Sequence, residues 1–358
     1  MTEYYLAFSY VLGIGPMKFS VLVKAFGGVE KAYSASQKDL VEVLGISVAE
    51  NFIRFRKSFD PVGEIKRLRS KNIQIVSQNS DQYPENLRNI SDPPICIYTK
   101  GNTDILTPKK LGISVVGTRK PTAYGVQVTR KITSDLAEKG VSVISGLALG
   151  IDAEAHRTAL DFQAPTIAVL GCGVDITYPA ANKTLYDRIL KESGVIISEF
   201  PPEMTVLKGL FISRNRIVSA LSHGVLIVEG QEDSGALITA RYAAEQGKDV
   251  FAIPSPITSQ MSHAPHVLIK QGAKLTTSAQ DILEEYGMSA GTKKEIDLRL
   301  LSKPEQEIVQ ILSERPLPID EITRIIESPI SQILSVLSDL ELKGIIEKNS
   351  EGRHQLVA

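Results

Sequence analysis

Along the first 88 residues, apolar positions recur at helical spacing, through Val21–Phe26 and again through Glu50–Phe59, and predict a helical N-terminal domain over 1–88. From about 89 to 112 the pattern lapses into a connector holding Asp92-Pro93-Pro94, a short apolar run Ile95–Tyr98 and Lys100-Gly101-Asn102, its prolines keeping the backbone extended. The period then changes. Short β-branched runs (Ile113–Val116, Val141–Ile144, Thr166–Leu170, Val195–Ser198, Val225–Val228 and Val250–Ile253) alternate with helical stretches such as Tyr124–Lys139 and Ala153–Leu160. The runs are apolar and rarely alternate, as strands covered on both faces must be, so 89–286 predicts a doubly wound α/β domain with a parallel sheet. Gly287–Glu295 is small, polar and charged and reads as a linker. Beyond it, Pro304–Ser313, Ile319–Ile326 and Ser331–Lys343 have helical spacing, and Gly344–Glu347, a turn at Asn349–Gly352 and His354–Val357 read as a hairpin. Three helices and a hairpin over 297–358 predict a C-terminal winged helix.

Composition narrows the setting. A length of 358 residues and 43% hydrophobic content suit two or three folded domains. Cys96 and Cys172 lie far apart with no CxxC pair, which points to a reducing compartment and to no structural metal. The N-terminal MTEYYLAFSYVLGIG has no basic n-region or cleavage site, and no apolar run reaches the roughly 20 residues that span a membrane, so a cytoplasmic protein without membrane contact is expected. The net charge of −1 means that any basic surface must be local. Trp is absent, but 11 Tyr and 10 Phe remain as stacking surfaces.

In a parallel sheet ligands bind beyond the carboxyl ends of the strands. The first run is followed by Gly117-Thr118-Arg119-Lys120-Pro121 and a helix. Glycine permits close backbone approach, the helix N-terminus favours an anion, and Arg119 can grip phosphate with two donors. The loop is neither GxGxxG nor a Walker A loop, so a nicotinamide dinucleotide is not indicated and no cofactor is expected. The second run leads into Ser145-Gly146-Leu147-Ala148-Leu149-Gly150-Ile151-Asp152, a second anion nest, with Asp152 at a helix cap and His156 one turn on as a structural residue. After the third come Gly171-Cys172-Gly173, then Tyr178-Pro179 and Asn182-Lys183. Cys172 reads as a small packed residue. After the fourth come Glu199 and, later, Phe211 beside Arg214-Asn215-Arg216, the densest donor cluster, read as phosphate contacts next to a stacking ring. After the fifth come Glu229, expected to hold Arg214 or Arg216 in place, and Ser234-Gly235 before a helix. Four anion-suited strand ends exceed the needs of one phosphate and suggest a polyanion or a deeply held nucleotide. In the N-terminal region, Leu12-Gly13-Ile14-Gly15 and Leu44-Gly45-Ile46 have the form of helix-hairpin-helix turns. The second lacks its second glycine, which favours tight turns between packed helices.

These motifs together resemble the DprA/Smf family. The likeness rests on Val115-Val116-Gly117-Thr118-Arg119-Lys120, on Ser145-Gly146-Leu147-Ala148 through Gly150-Ile151-Asp152 to Ala155-His156-Arg157, on Tyr178-Pro179 with Asn182, on Arg214-Asn215-Arg216, and on Ser234-Gly235 with Leu237-Ile238-Thr239. The resemblance implies an extended Rossmann-like fold flanked by a helical domain of the sterile-alpha-motif type and a winged helix. It implies binding of single-stranded DNA, a homodimer formed through the Rossmann-like domain, loading of RecA recombinase in natural transformation, and no catalysis. Family DNA-binding positions fall on Gly117, Thr118, Arg119, Ser145, Gly146 and the segment Tyr178–Lys183, while Asp152, His156, Glu199, Glu229 and Thr239 are read as supporting residues. The sequence departs from the family at Ala180, where many members have lysine, and at Pro254-Ser255 and Ala264-Pro265-His266. The candidate recognition helix Ser331–Lys343 carries Asp339 and Glu341 against one Lys, which suits contact with protein or weak duplex binding. Two other readings compete: a nucleotide or nucleoside-phosphate hydrolase using Glu229 or Glu199, and a recombination scaffold acting through protein contacts.

Overall fold

The computed structural model describes residues 1–107, 111–206, 208–288, 301–349 and 352–356. The chain forms two compact units, Met1–Met288 and Ser289–Ala358. The larger opens with six helices: α1 Thr2–Ser9, α2 Pro16–Phe26, α3 Val29–Ser34, α4 Gln37–Leu44, α5 Ile46–Ser58 and α6 Pro61–Ser70. Local signals set their ends. Pro16 and Pro61 occupy first-turn positions whose N–H has no intrahelical partner, and Ser36 and Asp60 cap α4 and α6. Phe8, Phe19 and Phe52 build their core, with Phe8 stacked on Phe52 at 4.9 Å. Gly13 and Gly45, with φ of 94° and 79°, form tight interhelical turns.

The helical region ends earlier than residue 88. Strand β1 (Gln74–Ser77) and helix α7 (Glu85–Arg88) fall inside that span, and the connector contains strand β2 (Cys96–Gly101). β1 pairs antiparallel with β2, and β2 pairs antiparallel with a strand of the main sheet. Four residues of half-exposed edge strand carry too little periodicity to stand out beside six helices.

The main sheet follows as β3 Gly112–Val116, α8 Ala123–Glu138, β4 Ser142–Ser145, α9 Ile151–Asp161, β5 Thr166–Val169, α10 Lys183–Lys191, β6 Gly194–Ser198, α11 Lys208–Leu221, β7 Gly224–Ile227, α12 Gly235–Glu245, β8 Asp249–Ala252, α13 His263–Lys270, β9 Lys274–Leu275 and α14 Ala279–Glu285. All six expected strands form. The order is β1-β2-β6-β5-β4-β3-β7-β8-β9, parallel from β6 to β9. β3 to β6 are laid down in one direction and β7 to β9 in the other, so the topology reverses between β3 and β7, where such sheets open a crevice. The strand interiors, including Ile113, Val143, Ile167, Ile197 and Leu226, are sealed from solvent by the helices.

The smaller unit has α15 Lys303–Glu314, α16 Ile319–Ile326, α17 Ile330–Leu342 and the hairpin strands β10 Ile346–Lys348 and β11 His354–Leu356, around Ile308, Ile322, Leu337 and Leu340. This is the winged-helix pattern read from the spacing. Most of the expected linker, and Val357 of the return strand, lie outside the described residues. Among the described residues no helix is long and apolar enough to cross a membrane.

Candidate nucleic-acid interface

The loops after β3, β4 and β5 lie side by side. Ile151 donates its N–H to the Thr118 carbonyl at 3.2 Å, which joins the first loop to the second. Gly150, with φ of 80°, makes that approach possible: a Cβ there would lie 2.4 Å from the Thr118 oxygen.

The anion nests expected at the helix N-termini are filled by the protein itself. At α8 the occupant is Glu229, whose carboxylate accepts from the Thr122 N–H at 2.9 Å and from its hydroxyl at 2.6 Å. Gly125 leaves room for it, because a Cβ there would sit 2.2 Å from Glu229 Oε2. The Glu229 carbonyl also takes the Thr118 N–H at 2.7 Å. At α9 the Asp152 carboxylate, one residue past the first helical position, accepts from the Gly146 and Ala148 N–H groups at 3.1 and 3.4 Å. At α12 Ser234 caps Ala236 at 3.3 Å. Glu229 was expected to hold an arginine; it holds Thr122 instead, a contact across 107 residues that no local pattern signals.

Several residues read as DNA contacts are interior supports. Ser145 is fully buried and donates to the Val115 carbonyl at 2.7 Å. Asn182 is buried and donates to the Leu147 and Ala148 carbonyls at 2.9 and 3.2 Å. Gly173 packs against Asp175 and the backbone of Pro201 and Glu203. Arg214 and Arg216 fall in α11 rather than in a loop, and both point inward. Arg214 donates to the Gly146 carbonyl at 2.7 Å and to that of Val169. A Cβ at Gly146 would meet its guanidinium at 2.4 Å, so the glycine is a seat for that group. Burial pushes Arg214 down to about 10 against the pull of Asp152, and Arg119 adds like-charge repulsion. Arg216 is clasped by Glu199 at 2.7 and 2.9 Å and by Asp92 at 2.7 Å. Asn215, between them, reaches the Gly235 carbonyl at 3.4 Å, which Thr239 also contacts at 3.4 Å. His156 bonds Thr166 at 2.7 Å, not Asp152 or a main-chain group.

What remains at the surface is compact. Arg119 and Lys120 are exposed, and among the described residues neither has an ion-pair or side-chain hydrogen-bond partner. The Arg119 guanidinium lies 5.8 Å from the centre of the Phe211 ring, and Tyr178, itself exposed, lies 5.3 Å from that ring at a 35° tilt. Gly171 seats Phe211: a Cβ there would be 2.8 Å from the ring. Lys183 is exposed at the neighbouring edge but paired with Asp187, and Gly235 is exposed at the start of α12. The outcome is a cationic and aromatic platform above a buried cation, built from three strand ends and α11.

A doubly wound sheet carrying such a platform defines an α/β domain suited to an anionic, base-bearing ligand. Residues 74–287 match the family model described as DNA recombination-mediator protein A, and residues 294–352 match the DprA winged helix domain; the chain belongs to this family. Its relatives include Protein Smf of Synechocystis sp., 33% identical with 98% of each chain covered, and DNA processing protein DprA of Bacillus subtilis, 43% identical over 61% of this chain and 72% of that one. Among solved structures, DNA processing protein A of Streptococcus pneumoniae superposes with a TM-score of 0.70 at 34% identity, covering 80% of this chain and 98% of that one. DNA processing protein A of Helicobacter pylori, whose structure describes a single-stranded DNA binding mode, gives 0.54 at 31% identity, covering 60% and 95%.

Proposed function

We propose that this chain is a non-enzymatic recombination mediator that holds single-stranded DNA across the carboxyl ends of β3, β4 and β5. The observation that carries this reading is Arg119: a guanidinium with no ion-pair or side-chain hydrogen-bond partner among the described residues, set over Phe211, whose ring also meets Tyr178, with a second cation, Arg214, buried nearby. Phosphate satisfies the arginine while a base stacks on the rings, and neither contact distinguishes one base from another, so sequence preference is weak. The named binding mode of the Helicobacter pylori relative supports the same ligand. The two carboxylates a hydrolase would use are engaged elsewhere, Glu229 on Thr122 and Glu199 on Arg216, which favours binding over turnover. The family resemblance extends the reading to a homodimer through the sheet domain and to loading of RecA in natural transformation. Sedimentation mass and RecA filament growth on coated strands test those two parts, and a monomer or an unchanged growth rate would remove them.

The primary test is fluorescence anisotropy with a labelled oligothymidine and a duplex of equal length across a salt series. The single strand binds more tightly than the duplex. Arg119→Ala weakens it and makes the slope of log K against log salt shallower by about 0.7, one phosphate contact. An unchanged slope would place the strand elsewhere, and turnover of a nucleoside monophosphate would restore the hydrolase reading.

A further inference from the structure

The winged-helix unit carries a surface that the single-strand site does not use. In DNA-reading helix-turn-helix units the second helix of the motif enters the major groove, and its first residues meet base edges while cations neutralise phosphate. In this unit α17 has no Lys or Arg between Ile330 and Leu342, and it carries Asp339 and Glu341. At the groove-facing end stand Ile325, Ile330 and Leu334, which are 50%, 50% and 49% exposed. Ile330, Leu334, Ser338 and Leu342 follow at intervals of four, so they lie in one row along the helix, ending on Leu342 at 87% exposure. The row runs about 18 Å, 12 residues at roughly 1.5 Å each. On the adjoining side of α17, Ile333, Leu337 and Leu340 fill the unit's core, which none of Ile330, Leu334 and Leu342 joins.

Charge selects the occupant. From Ile319 to Leu342 the chain holds Asp320, Glu321, Glu327, Asp339 and Glu341 against Arg324; Glu321 pairs with Arg315 at 3.5 Å and Glu341 lies 3.3 Å from His354, which leaves Asp320, Glu327 and Asp339 without an ion-pair partner among the described residues. A duplex would be repelled by this face, and a second copy would set the same carboxylates against each other. We propose that the outer face of α17 docks an amphipathic, basic helix of a partner protein, with apolar side chains on the Ile330–Leu334–Leu342 row and Lys or Arg opposite the flanking acids.

The test uses the full chain and three fluorescein-labelled probes: an 18-residue peptide of Leu and Lys with Leu at helical spacing, a peptide of the same composition with the spacing scrambled, and an 18-base-pair duplex. Anisotropy gives at least tenfold tighter binding of the amphipathic peptide than of the scrambled one, and weaker binding still of the duplex. The double variant Ile330→Asp, Leu334→Asp loses at least tenfold for the amphipathic peptide while its oligothymidine affinity is unchanged. Ile330→Ser, Leu334→Ser, which adds no charge, shows the same direction of loss, and circular dichroism melting checks that both variants are folded. Equal binding of the two peptides, tighter binding of the duplex, or no effect of either double variant would overturn the proposal. A fall in sedimentation mass of the free chain on substitution would overturn it too, by assigning the face to a second copy.

Discussion

His156 shows how one buried side chain acquires a fixed protonation state. Its Nδ1 faces Thr166 Oγ1 at 2.7 Å, and that hydroxyl donates to the Val143 carbonyl at 2.9 Å. The hydroxyl proton is therefore committed, so Nδ1 carries the imidazole proton and Nε2, buried with no hydrogen-bond partner among the described residues, is left with a lone pair. A second proton would charge a fully buried ring, and burial, helped by the neighbouring Arg214, holds the group down to about 3 against 6.5 in an open chain. Between those values the unfolded chain binds the extra proton, so stability is full above about pH 6.5 and declines as pH falls toward 3. Thermal melts from pH 7.5 to 4 are expected to show this decline, and His156→Gln to flatten it. A variant with the same pH slope as wild type would assign the decline to the carboxylates. Arg214 follows the same logic of enclosure. The sequence shows an arginine in a cluster of donors, but a helix exposes only part of its circumference, and the neighbours that settle which side faces inward, Gly146 after β4 and Val169 at the end of β5, come from distant parts of the chain.

At the scale of elements, the strand-to-helix junctions are closed from within. A helix N-terminus attracts negative charge, and at α8 and α9 that charge is Glu229 and Asp152. Glu229→Gln removes the charge but keeps one acceptor for Thr122. It is expected to lower stability by about 1 kcal/mol, read by urea denaturation, while oligothymidine affinity changes less than threefold. A large loss of affinity without loss of stability would make Glu229 a ligand contact. The glycines of these junctions divide by the same geometry. Gly117, Gly125 and Gly146 make room for the protein's own Ile151, Glu229 and Arg214, and Gly171 makes room for Phe211, which faces the platform. A glycine after a strand is visible in sequence, but whether it admits a phosphate or a side chain of the same chain depends on what folds back over it.

For the whole molecule, the helical region and the sheet are one unit. Ser9 lies 2.7 Å from the Tyr98 hydroxyl on β2, and Arg67 of α6 and Lys71 just past its end both reach Glu203 in the loop after β6. The winged helix has a core of its own. A chain cut to residues 1–288 is therefore expected to unfold in one calorimetric transition and to bind oligothymidine with the salt slope of the full chain. A steeper slope in the full chain would add phosphate contacts from the second unit.

Periodicity along the chain was enough to place the six central strands, the helices between them and the winged helix, because burial of a strand or a helix face imposes a spacing on its own residues. The same strand-end reasoning led to Arg119, Tyr178 and Phe211, each adjacent to a glycine-rich turn or a cationic cluster. Tertiary structure decided the rest. It drew β1 and β2 into the sheet, turned Arg214 and Arg216 inward, and spent the anion nests on Glu229 and Asp152. Each of those outcomes joins residues from distant parts of the chain, where spacing carries no information and only the packed fold brings the partners within reach.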